Sequence, residues 1–519
     1  MPLLLLLVLT LACWPQRWEQ PGEWCGSPWI CMGLTWLIVG FTILAAKGIS
    51  IWLCRRLVRQ PDDRGRWIHR YRLAKRYHYY SLYPIFAALV YFLGWGWAVQ
   101  SFLPGGQETP AYLSTGGEFL IIAPFLVCLL GSWACYFEAE RAIAFSRTND
   151  TQALPWDSAW RFVAFQARQT LALVAVPVTL LIVQKALIQP LNSVPLAWEW
   201  VASFAGVMAA GIVLLTMPWI LRLVLGLQPF PEGPLRDRLL ATARRVNFRF
   251  SNLLIWHTHG HVANAMVAGL FPIPRYVLLS DRLIEDLSPD EVEAVFGHEI
   301  GHVKHRHMLL YLAFLMMSMA LLGAILLPTL KSLVNGRQDL QMAPFMAMMS
   351  AYIFVFFGFL SRRCERQADI YGCRVVSCRQ PDCIGHDSTS ALSERAANLC
   401  PTGINTFIQA LEKVADSNGM SRDRPGWLQS WQHSTIARRV DFLARVRMNP
   451  LIERRFQRRV FITKCVLFLG LVAGLAAVAQ FQGWQALLDE GAETTDNDQH
   501  AKGLPAGGDK SAYFSSKGE

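Results

Sequence analysis

The chain has 519 residues, 53% of them hydrophobic and 17% charged, with 19 Trp, 29 Phe and a net charge of +11. Apolar residues gathered into long uncharged runs exclude an ordinary water-soluble protein, whose core segments are interrupted more often. The charge does not point to nucleic acid, because it is concentrated in alternate connections between the apolar runs.

In chain order, the opening run MPLLLLLVLTLACW has the length of a signal-peptide core but lacks its basic leader. It is compatible with a cleaved signal, a lipid-dipping segment or a short extra span. Eight spans of membrane-crossing length are expected next: Trp29–Leu53, Leu82–Leu103, Phe119–Phe137, Leu171–Ile188, Trp198–Leu221, Leu309–Leu330, Met342–Leu360 and Val460–Phe481. The connection Cys54–His78 is crowded with arginines, whereas Pro104–Gly117 and Gln189–Ala197 carry no Lys or Arg. This alternation predicts that the basic connections are cytoplasmic, the N-terminus lies outside, and Arg222–His307 and Ser361–Arg459 lie inside. The tail is poor in apolar residues and predicts disorder. Cys25 and Cys31 fall on the outer side, where they can pair. Cys364, Cys373, Cys378, Cys383 and Cys400 fall inside, where reduced thiols are expected.

Nine of the twelve histidines lie between His257 and His433. Among them FGHEIGHVKHRH, Phe296–His307, contains the H-E-x-x-H pattern as His298-Glu299-Ile300-Gly301-His302. Ser288-Pro289-Asp290-Glu291 offers a capping box, so a helix is expected from there to about Val303. Residues four apart share a helix face, so His298 and His302 can reach one ion, and neutral imidazole suits zinc. Glu299 is rotated by about 100° and can flank an open coordination position. The metzincin continuation is absent: His305 stands at its glycine position and Met308 at its last histidine. A third ligand is therefore sought after the helical hairpin, in SRRCERQADIYG. There Glu365 can complete a His₂Glu set, and Asp369 can accept the second ring proton of a ligand histidine. The competing reading is a solvated juxtamembrane helix with ordinary charges.

Other clusters are weaker. His257, His259 and His261 alternate and would share one face of a strand, where a second metal is conceivable. Cys373, Cys378, Cys383, His386 and Cys400 lack the spacing of a paired-Cys zinc ribbon, so unliganded thiols are favoured. His305 and His307 are expected to flank the site rather than to ligate.

At this point the sequence resembles the integral-membrane zinc metallopeptidases of the CAAX prenyl protease and HtpX type. The resemblance is carried, in order, by NAMVAG (Asn264–Gly269), RYVLLSDRLIEDLSPDEVEAVFGHEIGH (Arg275–His302), ERQAD (Glu365–Asp369) and HSTIARRVDFL (His433–Leu443). It implies a mainly α, polytopic helical membrane protein with a zincin-like (gluzincin) domain that contains a small β-sheet and is interrupted by a helical hairpin. It implies one catalytic zinc on His298, His302 and Glu365, with Glu299 as general base. Asn264 and Ala265 would lie on an edge strand that pairs with substrate, and His433 and Arg439 would stabilise the transition state. Where the family often has proline after that histidine, this chain has Ser434.

The expected organisation is an N-terminal segment (1–28), a membrane region of about five spans (29–222), a cytoplasmic peptidase domain (223–307 and 361–459), a transmembrane hairpin (308–360), a last span (460–482) and a tail (483–519). The expected partners are protein or peptide substrates and the lipid bilayer, with no nucleic acid. The expected location is a bacterial inner membrane, with the site facing the cytoplasm. A zinc-stabilised scaffold that binds peptides without cutting them is the competing class, and Glu299 counts against it. A transporter would need more ionisable residues in its spans.

Overall fold

The computed structural model describes residues 26–103, 115–148, 157–183, 199–260, 262–333, 338–377, 399–420, 422, 434–449 and 451–502. The chain forms two compact units, Met1–Val303 with Ala368–Arg424, and Lys304–Gln367 with Pro425–Glu519.

The first unit begins with membrane-type helices. Pro28–Arg59 packs along Thr115–Thr148, and a core of Leu82, Phe86, Ile121 and Phe125 lies among the N-terminal helices. The helix Arg64–Ala87 holds Pro84, continues as a π-helix over Ala88–Phe92, and breaks at Gly94, whose φ of 75° ends the run. A half-buried charge pair lies here: Lys75 Nζ is 2.6 Å from Glu140 Oε1, which also accepts from Tyr71 Oη at 2.9 Å. Pairing keeps both charges tolerable so close to apolar helices.

Among the described residues, four helices are long and apolar enough to cross a membrane: Pro28–Arg59, Leu120–Phe145, His307–Leu330 and Leu451–Gln480. Pro61–Phe92 and Trp95–Phe102, bent by 55°, make a fifth if they count as one. These helices overlie five of the expected spans. The expected span Leu171–Ile188 runs past residue 183, beyond the described residues, and Trp198–Leu221 falls on the helix Glu199–Leu225. Met342–Leu360 is made of a helix ending at Tyr352, a π-helical turn and the start of the next helix. The protein is an integral membrane protein on this evidence.

The same unit carries a four-stranded mixed sheet in the order β1-β2-β4-β3, with β1 Gln228–Pro229, β2 Asn252–Trp256, β3 Ala265–Ala268 and β4 Tyr276–Ser280. β2 and β4 are parallel, and β3 runs antiparallel to β4 at the sheet edge. All five residues of β4 are buried, as befits the strand between two neighbours. Leu253, Val277, Leu279, Val292, Phe296 and Ile300 share one core, which seats the helix Pro289–Lys304 on the sheet. The β3–β4 connection is stapled by Arg275, whose guanidinium donates to the carbonyls of Gly269 (3.3 Å), Arg249 (3.0 Å) and Leu270 (2.8 Å). Gly269 has φ 118°, and a Cβ there would stand 2.1 Å from the Pro274 carbonyl oxygen, so only glycine fits.

In the second unit His307–Leu333 packs against both Gln338–Tyr352 and Leu451–Lys502, around Phe314, Leu360, Cys364 and Leu471. The last helix continues to Lys502, through part of the tail read as disordered. That stretch, ALLDEGAETTDNDQHAK, is polar but holds several good helix formers and no proline.

Candidate metal centre

The helix that carries H-E-x-x-H starts where its residues require. The backbone N–H of Ser288 donates to Glu291 Oε2 at 2.7 Å, and the Glu291 N–H donates to Ser288 Oγ at 3.4 Å, which closes the expected capping box. Lys413 Nζ adds a charge-assisted bond to the same Glu291 oxygen at 2.8 Å. Burial pushes the Glu291 carboxyl up, but the Lys413 and Ser288 hydrogen bonds outweigh it and hold the group below its ordinary 4.5. A carboxylate held low contributes stability above its unfolded value, which is lost as pH falls through the folded one. The thermal midpoint should therefore drop below about pH 4.5. Lys413→Met should flatten that drop, with a loss under about 1 kcal/mol near neutrality because Lys413 is half exposed. Melting curves of both proteins across this range check it.

On this helix His298 and His302 face the same side, with their Nε2 atoms 3.2 Å apart. Two imidazoles sharing a tetrahedral zinc at 2.0–2.1 Å place their nitrogens roughly 3.3 Å apart. Glu365 lies on the unbroken helix Gly358–Val376, one turn before Asp369. One ligand atom from each of His298, His302 and Glu365 lies within 4.8 Å of the others, and no other such group occurs among the described residues. Asp369 is fully buried, with Oδ1 3.0 Å from His298 Nδ1. It can hold the ring with Nε2 turned toward an ion. The donor set of two imidazoles and one carboxylate fits a zinc-type ion with an open position.

Glu299, half-buried, follows His298 and is not one of the three donors. Arg439 is buried, with Nη1 3.7 Å from Glu365 Oε2. His433 lies outside the described residues. Its neighbour Ser434 has φ 65°, a conformation closed to proline, whose ring holds φ near −65°. Thr435 then caps the helix Ile436–Met448 by accepting from the Arg438 N–H. Asn264 precedes β3, its carbonyl accepting from the Ser280 N–H at 2.9 Å, and Ala265 opens the edge strand.

Several features were not anticipated. Gly297 and Gly301 allow the helix Gly358–Val376 to approach the H-E-x-x-H helix closely. A Cβ on Gly297 would stand 2.8 Å from Val375 Cβ, and one on Gly301 would stand 3.0 Å from Ala368 Cα. Gly372 does the same from the other helix, against Phe407 and the Ala294 carbonyl. Phe407 stacks on the His298 ring with centroids 5.8 Å apart. The four-residue spacing of Gly297 and Gly301 was a visible sign of close helix approach. Phe407 left no sign in the sequence.

The shared strand face expected for His257, His259 and His261 does not hold for the first two. β2 ends at Trp256, so His257 and His259 lie beyond it, and the chain turns at His259 (φ 52°) and Gly260 (φ 70°). Asp281 holds this turn by accepting from Thr258 Oγ1 and the His259 N–H, which defeats the alternating pattern. His261 lies outside the described residues. His307 is buried with Nε2 3.2 Å from Gln367 Oε1, and it stacks on His305. Neither belongs to the donor group. Cys373 is buried, and Cys400 Sγ accepts from the Gly403 N–H as a helix cap. Cys25, Cys378, Cys383 and His386 lie outside the described residues.

Residues 229–385 match the pattern of Peptidase family M48. A protease HtpX homolog of Archaeoglobus fulgidus is 30% identical over 171 residues, covering 32% of this chain and 49% of that protein. A CAAX prenyl protease 1 homolog of Dictyostelium discoideum is 40% identical over 83 residues, covering 15% of this chain and 19% of that protein. The chain thus spans about half the length of the first relative and about a fifth of the second. The crystal structure of S. mikatae Ste24p aligns with a TM-score of 0.49 at 15% identity, over 82% of this chain and 99% of that one. Residues 229–385 thus match the M48 peptidase pattern, and parts of the chain are similar to both HtpX and CAAX prenyl protease homologues.

Proposed function

We propose that the protein is a zinc-dependent membrane endopeptidase that hydrolyses peptide bonds in membrane or membrane-proximal proteins. The observation that carries this reading is the pair of imidazole nitrogens 3.2 Å apart beside Glu365, with Glu299 next in sequence to the first of them. His298, His302 and Glu365 would hold the ion, and Asp369 would fix the His298 ring. When bound, zinc supplies a Lewis acid and brings a water toward ionisation near neutral pH. Glu299 takes the proton of the attacking water and delivers it to the leaving nitrogen. Arg439, with His433, would face the negative charge that develops on the carbonyl oxygen. The edge strand at Asn264 and Ala265 would align an extended substrate by backbone pairing.

Both unfolded membrane proteins and lipidated C-termini fit this chemistry, since relatives on both sides of the family match. We place the site on the cytoplasmic face of a bacterial inner membrane, on the strength of the basic connections. The competing reading, a peptide-binding scaffold, has no use for a carboxylate beside the ligand pair. Removing metal with a chelator should abolish cleavage of an unfolded model protein by the detergent-purified enzyme, and added zinc should restore it. Cleavage that survives complete metal removal would sink the proposal.

A further inference from the structure

Strand β3 offers backbone groups on its outer side in a fixed rhythm. The Ser280 N–H bonds to the Asn264 carbonyl, so residues 264, 266 and 268 turn their amides toward β4. Ala263, Ala265 and Val267 consequently turn theirs outward. Among the described residues, no hydrogen bond engages the outward amides of Ala265 and Val267.

Ala263 is different. Its N–H donates to Asn418 Oδ1 at 3.0 Å, and its carbonyl accepts from Asn418 Nδ2 at 2.8 Å. One side chain thus imitates a paired strand residue and takes up a whole rung of the ladder. Because the Ala263 N–H can only donate, the orientation of the Asn418 amide is forced. Asn418 is itself held in place: Nδ2 also donates to the Val414 carbonyl at 2.9 Å, and it ends the helix Pro401–Ser417. That helix is tied down by Lys413 on Glu291 and by Ser417 on Asp286. At the other end of the strand the Gly269 carbonyl is taken by Arg275.

We infer that Asn418 is a specificity-determining residue that closes one end of the edge strand, leaving a slot of two rungs, at Ala265 and Val267, for an extended peptide. The inference rests on the peptidase reading and refines it: substrates are read over a short extended segment of about three to five residues, not along an open-ended strand. Aspartate at this position still accepts from the Ala263 N–H but has no N–H to give the Ala263 and Val414 carbonyls, so it keeps only half of the rung. Alanine vacates it and frees both Ala263 groups for two further hydrogen bonds.

The test uses the full-length, zinc-loaded protein in detergent, carrying Glu299→Gln so that peptides bind without being cut. Fluorescein-labelled peptides of alternating Thr and Val, lengthened from about four to about eight residues at one end or the other, are titrated by fluorescence anisotropy. With Asn418 present, affinity should rise with length and then level off. Asn418→Ala should shift the plateau by about two residues and add about tenfold in affinity, for extension at one peptide end only. Asn418→Asp, which holds the Ala263 N–H but releases its carbonyl, should shift the plateau less than Asn418→Ala does. A plateau unmoved in Asn418→Ala, or moved equally for both ends, overturns the inference, as does loss of all peptide binding in a folded, zinc-loaded Asn418→Ala protein. If the zinc-loaded parent binds none of the peptides, the peptidase reading itself falls.

Discussion

Glu299→Gln should leave zinc content unchanged and lower peptide hydrolysis by about 10²–10⁴-fold, the usual worth of a positioned general base. Metal should be retained because the proposed donors are His298, His302 and Glu365. Glu299, the next residue along, is turned by about 100° around the helix. Glutamine matches the size and hydrogen-bonding reach of the carboxylate but cannot take a proton from water. Zinc analysis beside cleavage of an unfolded model protein separates the two roles. Equal zinc with equal cleavage in both proteins would remove Glu299 from the mechanism. Loss of zinc in the variant would make it a ligand instead.

Gly301→Ala, one added methyl group, should be nearly as damaging, for a different reason. A Cβ at this position would stand 2.9 Å from Tyr371 Cβ, 3.0 Å from Ala368 Cα and 3.3 Å from the Ala368 carbonyl oxygen. Two of these three atoms are backbone and cannot rotate away, so the helix Gly358–Val376 must shift. Ala368 adjoins Asp369, and Glu365 lies one turn earlier on the same helix. Displacing that helix by a few tenths of an ångström loosens both the His298–Asp369 contact and the third ligand. Disturbing such supporting contacts weakens metal binding by about 10–100-fold. Overpacking between helices should also cost about 1–3 kcal/mol of stability. Zinc titration against a competing chelator reads the first effect, and a melting curve reads the second. Gly323→Ala serves as the control, because nothing lies within 4 Å of a Cβ there. If Gly301→Ala binds zinc like the parent, the close approach is not what positions the acidic ligand.

Much of this protein could be read from local patterns. Ser288 and Glu291 announce the helix start because a capping box is closed within four residues, and the observed bonds follow it. His298 and His302 announce one face because helical spacing alone brings them together. Glu365 and Asp369 announce a second face in the same way, and ERQAD fits the family pattern in order. Local pattern failed at His257 and His259, where alternation suggested a strand. There Asp281, more than twenty residues later, captures Thr258 and the His259 N–H and turns the chain instead.

Residue types and short-range spacing were thus enough to point to the candidate metal-binding helices, the apolar spans and the chemistry to expect. Only the tertiary structure decided how near the two ligand helices come, which depends on whether a Cβ at Gly297 or Gly301 would meet open space or another backbone. It alone decided that Asn418 occupies the rung at Ala263, a contact across 155 residues of chain. Helix periodicity is a property of neighbours in sequence and can be read there. Close approach and backbone pairing depend on which distant segments fold against each other, and no local pattern encodes that distance.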